Sequence, residues 1–124
     1  TTDICVPISR LAEAVEETAA EIEASGIPGP IVGHVGDGNF HALLLPLADD
    51  PVQWEKAQHL AANMAERALR LGGTVSGEHG IGMGKMKYMN KEHGDAWAVM
   101  GAIKRALDPA GLMNPGKLVP EDGC

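Results

Sequence analysis

Gly33-His34-Val35-Gly36-Asp37-Gly38-Asn39-Phe40-His41 is the stretch on which the reading of this chain turns. Ile31 to Val35 and Phe40 to Leu45 are apolar runs of strand length. Asp37-Gly38 stands between them, and Asp-Gly favours the two central positions of a type I′ hairpin turn. So placed, it pairs Gly36 with Asn39, Val35 with Phe40, and His34 with His41. Directly opposed residues share a face, with β-carbons ~4.5–5.5 Å apart. Two imidazoles at that separation can reach one metal ion through bonds of ~2.0–2.1 Å. A slip of one residue would break the pairing, because side chains alternate across a strand.

A third ligand must come from elsewhere, and Glu78 in Ser76-Gly77-Glu78-His79-Gly80 is the best candidate, since the glycines let that loop approach the hairpin. Two histidines and one carboxylate leave a coordination position open, as in catalytic divalent sites and unlike closed structural ones. Two histidines in one hairpin also occur as ordinary core or surface residues, and the residues alone leave both readings open. Histidine as a residue type can take up a proton near neutral pH, so His79 could accept one from a substrate hydroxyl; it could equally do no more than hydrogen-bond its own loop. His59 and His93 fall on helices away from these loops and read as solvated. Asp37 reads as a turn residue.

Outward from the hairpin, Ile4 to Ile8 reads as a short strand ending at Pro7, and Ser9 as the N-cap of a helix with Leu11, Val15, Thr18, Ala19 and Ile22 inward. Gly26 stops it. Its acidic residues Glu13, Glu16, Glu17, Glu21 and Glu23 read as a solvated face. Both faces of the hairpin are largely apolar, which predicts a sheet covered on both sides. Asp49-Asp50-Pro51 opens a second helix, with Trp54, Ala57, Ala61, Met64, Ala68 and Leu71 as its apolar stripe. Thr74 to Ser76 could add a last short strand. Lys85 to Lys91 predicts a short helix. Another follows, capped by Asp95, with Trp97, Met100, Ile103 and Leu107 inward, ended by Asp108-Pro109. The tail from Gly111 to Pro120 reads as irregular. The order β-α-β-β-α-(β) predicts an α+β fold: a ferredoxin-like half-sandwich, an antiparallel sheet with helices on one face.

The 124 residues allow one small domain, and 44% hydrophobic residues against 22% charged ones exclude a wholly disordered chain. A formal charge of -7 argues against nucleic acid or an anionic membrane as the main partner. The apolar run Ala42–Leu47 contains Pro46 and falls far short of the ~20 residues of a spanning helix. No charged n-region and apolar h-region stand at the start of the sequence, so no signal peptide is expected there. Cys5 and Cys124 lie at opposite ends, which fits reduced thiols in an intracellular compartment better than a disulfide framework. Aromatic residues are only 3%, thin for an independent core, and the chain starts at Thr1 on a strand-like run. Both features suggest part of a longer polypeptide.

The hairpin segment, then Gly77-Glu78-His79-Gly80-Ile81-Gly82-Met83-Gly84-Lys85, then Leu107-Asp108-Pro109 and Gly111-Leu112-Met113-Asn114-Pro115-Gly116-Lys117, resemble the C-terminal region of FAD-linked oxidases of the vanillyl-alcohol-oxidase type. Asp3 to Leu11 and Ala24-Ser25-Gly26 match as well, and the likeness is greatest to the cytochrome-linked members that oxidise D-lactate. The resemblance implies the C-terminal part of a substrate or cap domain over residues 1–108 and a tail, 109–124, returning toward an FAD-binding domain that is not in this chain. It implies His34, His41 and Glu78 as ligands of a divalent metal, Zn or Mn, and His79 as the proton acceptor. Asn39 and Asn114 would lie near the flavin. In relatives acting on D-2-hydroxyglutarate, a substrate-binding asparagine stands two residues after the second metal histidine. Leu43 stands there in this chain, which favours a small substrate such as D-lactate or glycolate.

The implied reaction is oxidation of a small D-2-hydroxy acid to the 2-keto acid with hydride transfer to FAD. An acceptor such as cytochrome c or a quinone would take the electrons onward. The implied location is the bacterial cytoplasm or the mitochondrion, with a possible peripheral place at the inner membrane. The same resemblance admits a glycolate oxidase FAD-linked subunit. Gly80 to Gly84 does not fit a dinucleotide fingerprint, so most of the FAD site is expected elsewhere and this chain alone is expected to be inactive. From other classes, a non-enzymatic metal-binding ferredoxin-like module stays open. A metal-dependent hydrolase using Glu78 as base is weakened by the lack of a helical HExxH pair.

Overall fold

The computed structural model describes residues 1–119. Contacts divide the chain into two compact units, Thr1–His79 and Gly80 onward. The first contains β1 (Ile4–Cys5), α1 (Leu11–Ser25), β2 (Ile31–His34), β3 (Asn39–Ala42) and α2 (Pro51–Arg70). Its sheet runs β1-β3-β2, antiparallel throughout. An antiparallel bridge from Cys5 to Thr74 adds one rung on the outer side of β1. This is the α+β, ferredoxin-like half-sandwich expected, although residues 74–76 form a single bridge and not a strand.

The helices cover one face. Ala14, Thr18 and Ile22 of α1 pack with Ala57, Leu60, Met64 and Ala68 of α2 over Ile4, Phe40 and Ala42. The buried stripe of α2 is turned slightly from the expected one: Leu60 is buried, Ala61 only partly, and Trp54 is 49% exposed. Asp50 caps α2 as its sequence predicts, its Oδ1 accepting from the backbone N–H of Val52 and Gln53. The cap expected at Ser9 is not formed. Ile8–Arg10 is a turn of 3-10 helix leading into α1, whose N-cap is Arg10 with no side-chain cap bond.

The acidic face of α1 also differs from expectation. Arg67 of α2 is buried and reaches back to Glu17 at 2.8 Å, Glu21 at 2.9 Å and the Thr18 hydroxyl at 2.9 Å. Arg70 adds a bond of 2.6 Å to Glu17. The glutamates therefore clasp the two helices. The Glu17 carboxyl is held below its ordinary pKa by the hydrogen bonds from Arg67 and then Arg70.

The hairpin register is the principal correction. His34 faces Asn39, and His41 faces Val32; Gly33 faces Phe40. The connection has four residues: Val35–Asp37 forms a 3-10 turn and Gly38 closes it at φ +77°. A β-carbon on Gly38 would lie 2.1 Å from the Val6 carbonyl oxygen, so the left-handed backbone and the close approach both require glycine there. The shift from the expected pairing is two residues, so every side chain keeps its face. His34 and His41 are diagonal neighbours rather than directly opposed. Nor is the sheet covered on both sides throughout: β3 is buried along its length, whereas Val32, Gly33 and His34 of the edge strand are exposed.

The second unit contains α3 (Met86–His93), α4 (Ala96–Leu107) and an irregular segment over residues 108–119. Asp95 stands at the N-cap of α4 without a side-chain cap bond. Ile103 and Leu107, expected inward, are 56% and 75% exposed. Trp97 is half-buried and donates from Nε1 to the Leu118 carbonyl. At the end of α4, Asp108 accepts from the backbone N–H of Leu112 and Met113 and pairs with Lys104. Lys104, then those two amides, hold its carboxyl down to about 2.

Candidate metal and proton-transfer site

Alternation along β3 sends Phe40 and Ala42 to the helix side and Asn39 and His41 to the other. His41 is 7% exposed. On the same face lie His34 from β2 and, opposite His41 across the β1 ladder continued by the Thr2–Ala42 hydrogen bonds, Asp3. The Gly77–His79 segment closes over them. A β-carbon at Gly77 would stand 2.0 Å from Asn39 Nδ2 and 2.8 Å from Asp3 Oδ1, so only glycine permits this approach.

The three expected ligands converge. Glu78 Oε1 is 2.8 Å from His41 Nε2 and 3.7 Å from His34 Nε2. The donor atoms of His34, His41 and Glu78 all lie within 4.8 Å of one another. Donors bound to one ion by bonds of ~2.0–2.1 Å in a tetrahedral arrangement stand about 3.3 Å apart. The observed separations bracket that value. His79 stacks on His41, with ring centroids 4.8 Å apart and planes at 7°, and its Nε2 is 4.0 Å from Glu78 Oε1. Its side chain is 45% exposed.

The hydrogen bonds of His41 test whether a cation suits the cluster. Its Nδ1 is 3.0 Å from the Thr2 carbonyl oxygen, which can only accept. Its Nε2 faces a carboxylate oxygen, another acceptor. Both ring nitrogens therefore face acceptors. The ring satisfies them as an imidazolium, or with Nδ1 protonated toward Thr2 and the Nε2 lone pair given to a cation shared with Glu78. A carbonyl that orients a histidine in this way is the usual support of a metal ligand. The donor set fits a divalent cation.

Asp3, His41 and His79 form a second cluster of possible ligands. Asp3 is already committed. Its Oδ2 accepts from the backbone N–H of His79 at 2.9 Å and Glu78 at 3.1 Å, and its Oδ1 accepts from Asn39 Nδ2 at 2.8 Å. His41 Nδ1 is turned to Thr2. The His34, His41 and Glu78 set is the one whose lone pairs are available. Cys5 lies on the same face, but its thiol donates to the Asp37 carbonyl at 3.3 Å. Burial, then the nearby charges of Asp3 and Asp37, push its pKa up and keep it protonated.

Asn39 is 5% exposed, and its amide hydrogens go to Asp3 and to the Ile4 carbonyl at 2.9 Å. Its Oδ1 is buried and unpartnered. Asn114 lies in the second unit, exposed, at φ +48°, accepting from Lys117 Nζ at 3.2 Å. His59 is exposed on α2 and His93 partly buried at the end of α3. The sequence reading did not single out Asp3. The available signal was a carboxylate just before an apolar strand that ends beside the histidine hairpin.

Residues 1–118 match the family described as FAD linked oxidases, C-terminal domain. The chain is 47% identical over 119 residues to a probable mitochondrial D-lactate dehydrogenase of Danio rerio, covering 95% of this chain and 24% of that protein. It is 44% identical over 124 residues to the mitochondrial D-lactate dehydrogenase [cytochrome] of Arabidopsis thaliana, covering 99% of this chain and 22% of that one. The glycolate oxidase subunit GlcD of Escherichia coli strain K12 is 42% identical over 90 residues, 72% of this chain and 18% of the subunit. The chain thus spans about a quarter of the length of the curated relatives it matches. Among the described residues, no helix is long and apolar enough to cross a membrane. With a ferredoxin-like half-sandwich and a match running nearly end to end, this chain belongs to the FAD-linked oxidases, as their C-terminal domain.

Proposed function

We propose that the chain is the C-terminal part of an FAD-dependent D-2-hydroxy acid dehydrogenase that oxidises D-lactate, or a similar small 2-hydroxy acid, to the 2-keto acid. The observation that carries the reading is the convergence of His34, His41 and Glu78, with His79 stacked beside them. His34, His41 and Glu78 would hold a divalent cation, zinc or manganese, and an FAD-binding domain of the same polypeptide would hold the flavin. When bound, the cation supplies Lewis acidity toward the substrate hydroxyl, and the flavin supplies the hydride acceptor.

The chain's own residues divide the remaining work. Thr2 orients His41 through its carbonyl. Glu78 supplies negative charge that balances the cation. His79, half-exposed at the rim, accepts the hydroxyl proton at a ring nitrogen as the α-hydrogen leaves with its electron pair. Leu43, two residues beyond His41 and on the same face, gives a second substrate carboxylate no partner and supports a small substrate. Asn39 and Asn114 are proposed to face the flavin side.

Purified full-length polypeptide should show flavin reduction by D-lactate, faster than by L-lactate or D-2-hydroxyglutarate, and chelation should abolish it. Absence of reduction by every 2-hydroxy acid would reject the reading. The resemblance to GlcD supports a second reading, a glycolate oxidase subunit, which faster reduction by glycolate would favour.

A further inference from the structure

We infer that Asp3 is the positioning residue of this site, acting through the loop that carries Glu78 and His79 without touching substrate or cation. The inference rests on the function proposed above, and three observations carry it. Asp3 is 2% exposed, it accepts hydrogen bonds from three amides, and its Oδ1 lies 3.7 Å from His41 Nδ1. A buried carboxylate is costly to keep unless such bonds compensate it. Two of those amides belong to successive residues, the proposed ligand and the proposed base. The third is Asn39, the residue that His34 faces across the hairpin. One carboxylate therefore ties the β1 end, the hairpin and the loop together.

The geometry explains the glycine before Glu78. With Gly77 pressed against Asn39 Nδ2 and Asp3 Oδ1, the N–H groups of Glu78 and His79 turn inward to Asp3. Their side chains then turn outward, Glu78 toward His41 and His34, and His79 over the His41 ring. Without the carboxylate, the loop has no acceptor for its two inward amides, and the ligand and base lose their common reference. Asp3 is thus set apart from the proposed metal ligands by the bonds it accepts from the amides of Glu78, His79 and Asn39.

The test uses the full-length flavoprotein with Asp3→Asn, which keeps the shape and replaces one acceptor with a donor, and Gly77→Ala, which leaves Asp3 intact and displaces the loop. Hydrogen exchange of the Glu78 and His79 amides is one readout. Zinc affinity, by competition with a chromophoric chelator, is the second, and the pH profile of kcat the third. Both variants should speed exchange of those two amides at least about tenfold, weaken zinc about 10–100-fold, and distort the proton-acceptor limb of the profile, while exchange in α1 and α2 stays unchanged. A folded Asp3→Asn protein with ordinary exchange at Glu78 and His79 would overturn the inference, as would faster exchange spread evenly over both helices. If Asp3→Asn does not fold, Gly77→Ala decides by the same criteria. If the parent protein binds no zinc, the functional reading fails, while the exchange measurement still judges Asp3.

Discussion

Strand β3 is buried on both sides, and the two sides are buried by different means. Toward the helices, Phe40 and Ala42 sit in an apolar core of Ile4, Ile22, Leu60 and Met64, where close packing and removal from water supply the stability. Away from the helices, Asn39 and His41 are covered by one glycine-led loop and by polar partners from the chain's first residues. The first side tolerates exchange of one apolar residue for another of similar volume. The second depends on particular atoms, since a buried polar group is costly once its partner is gone. One strand thereby fixes the site's position with its core side and its chemistry with the other.

Breaking the core side should have the largest effect on stability. Phe40→Ala should cost about 3–5 kcal/mol in denaturant unfolding, with loss of the site as a consequence. Breaking the opposite side should reverse the order. His41→Ala should lower zinc affinity and turnover more than about 100-fold while changing stability far less. A His41→Ala protein that keeps metal and full rate would reject the assignment. The clasp over the core offers an intermediate case. Arg67→Leu removes the buried guanidinium from Glu17, Glu21 and Thr18, but both glutamates remain partly solvated. The loss should be about 1–2 kcal/mol, with zinc affinity unchanged.

The smallest effect belongs to Asp108, in the second unit. Its folded pKa of about 2 lies below the ordinary 3.8, so its contribution is complete above about pH 4 and is withdrawn as pH falls through 2. Asp108→Asn should remove that pH-dependent part from acid denaturation curves and leave the His34, His41 and Glu78 cluster untouched.

Several of these features were legible in the residues. Asp50-Pro51 announced α2, the hairpin pairing of β2 with β3 placed both histidines on one face, and Gly77 foretold a close approach. The register was not legible. Asp-Gly suggests a two-residue turn, and nothing local reveals that the Val6 carbonyl lies against Gly38 and favours a four-residue one. The outward face of α1 looked solvated because its partners, Arg67 and Arg70, lie about fifty positions away in sequence. Asp3 was obscure for the same reason: its partners include the amides of residues 78 and 79. Exposed Ile103 and Leu107 show the limit of periodicity, which finds an apolar stripe without saying what lies against it.

The four-residue connection between β2 and β3 has a consequence for how this domain can vary. Because orientation alternates at every step, odd and even changes of loop length differ in kind. Insertion or loss of a single residue between positions 35 and 38 would, if the strands re-paired in step, turn one imidazole into the apolar interior. A change of two would slide the rings along their strands and leave them on a common side. Length variants of this loop that remain active should therefore differ by whole pairs, a parity rule imposed by the pleat and independent of which amino acids fill the turn.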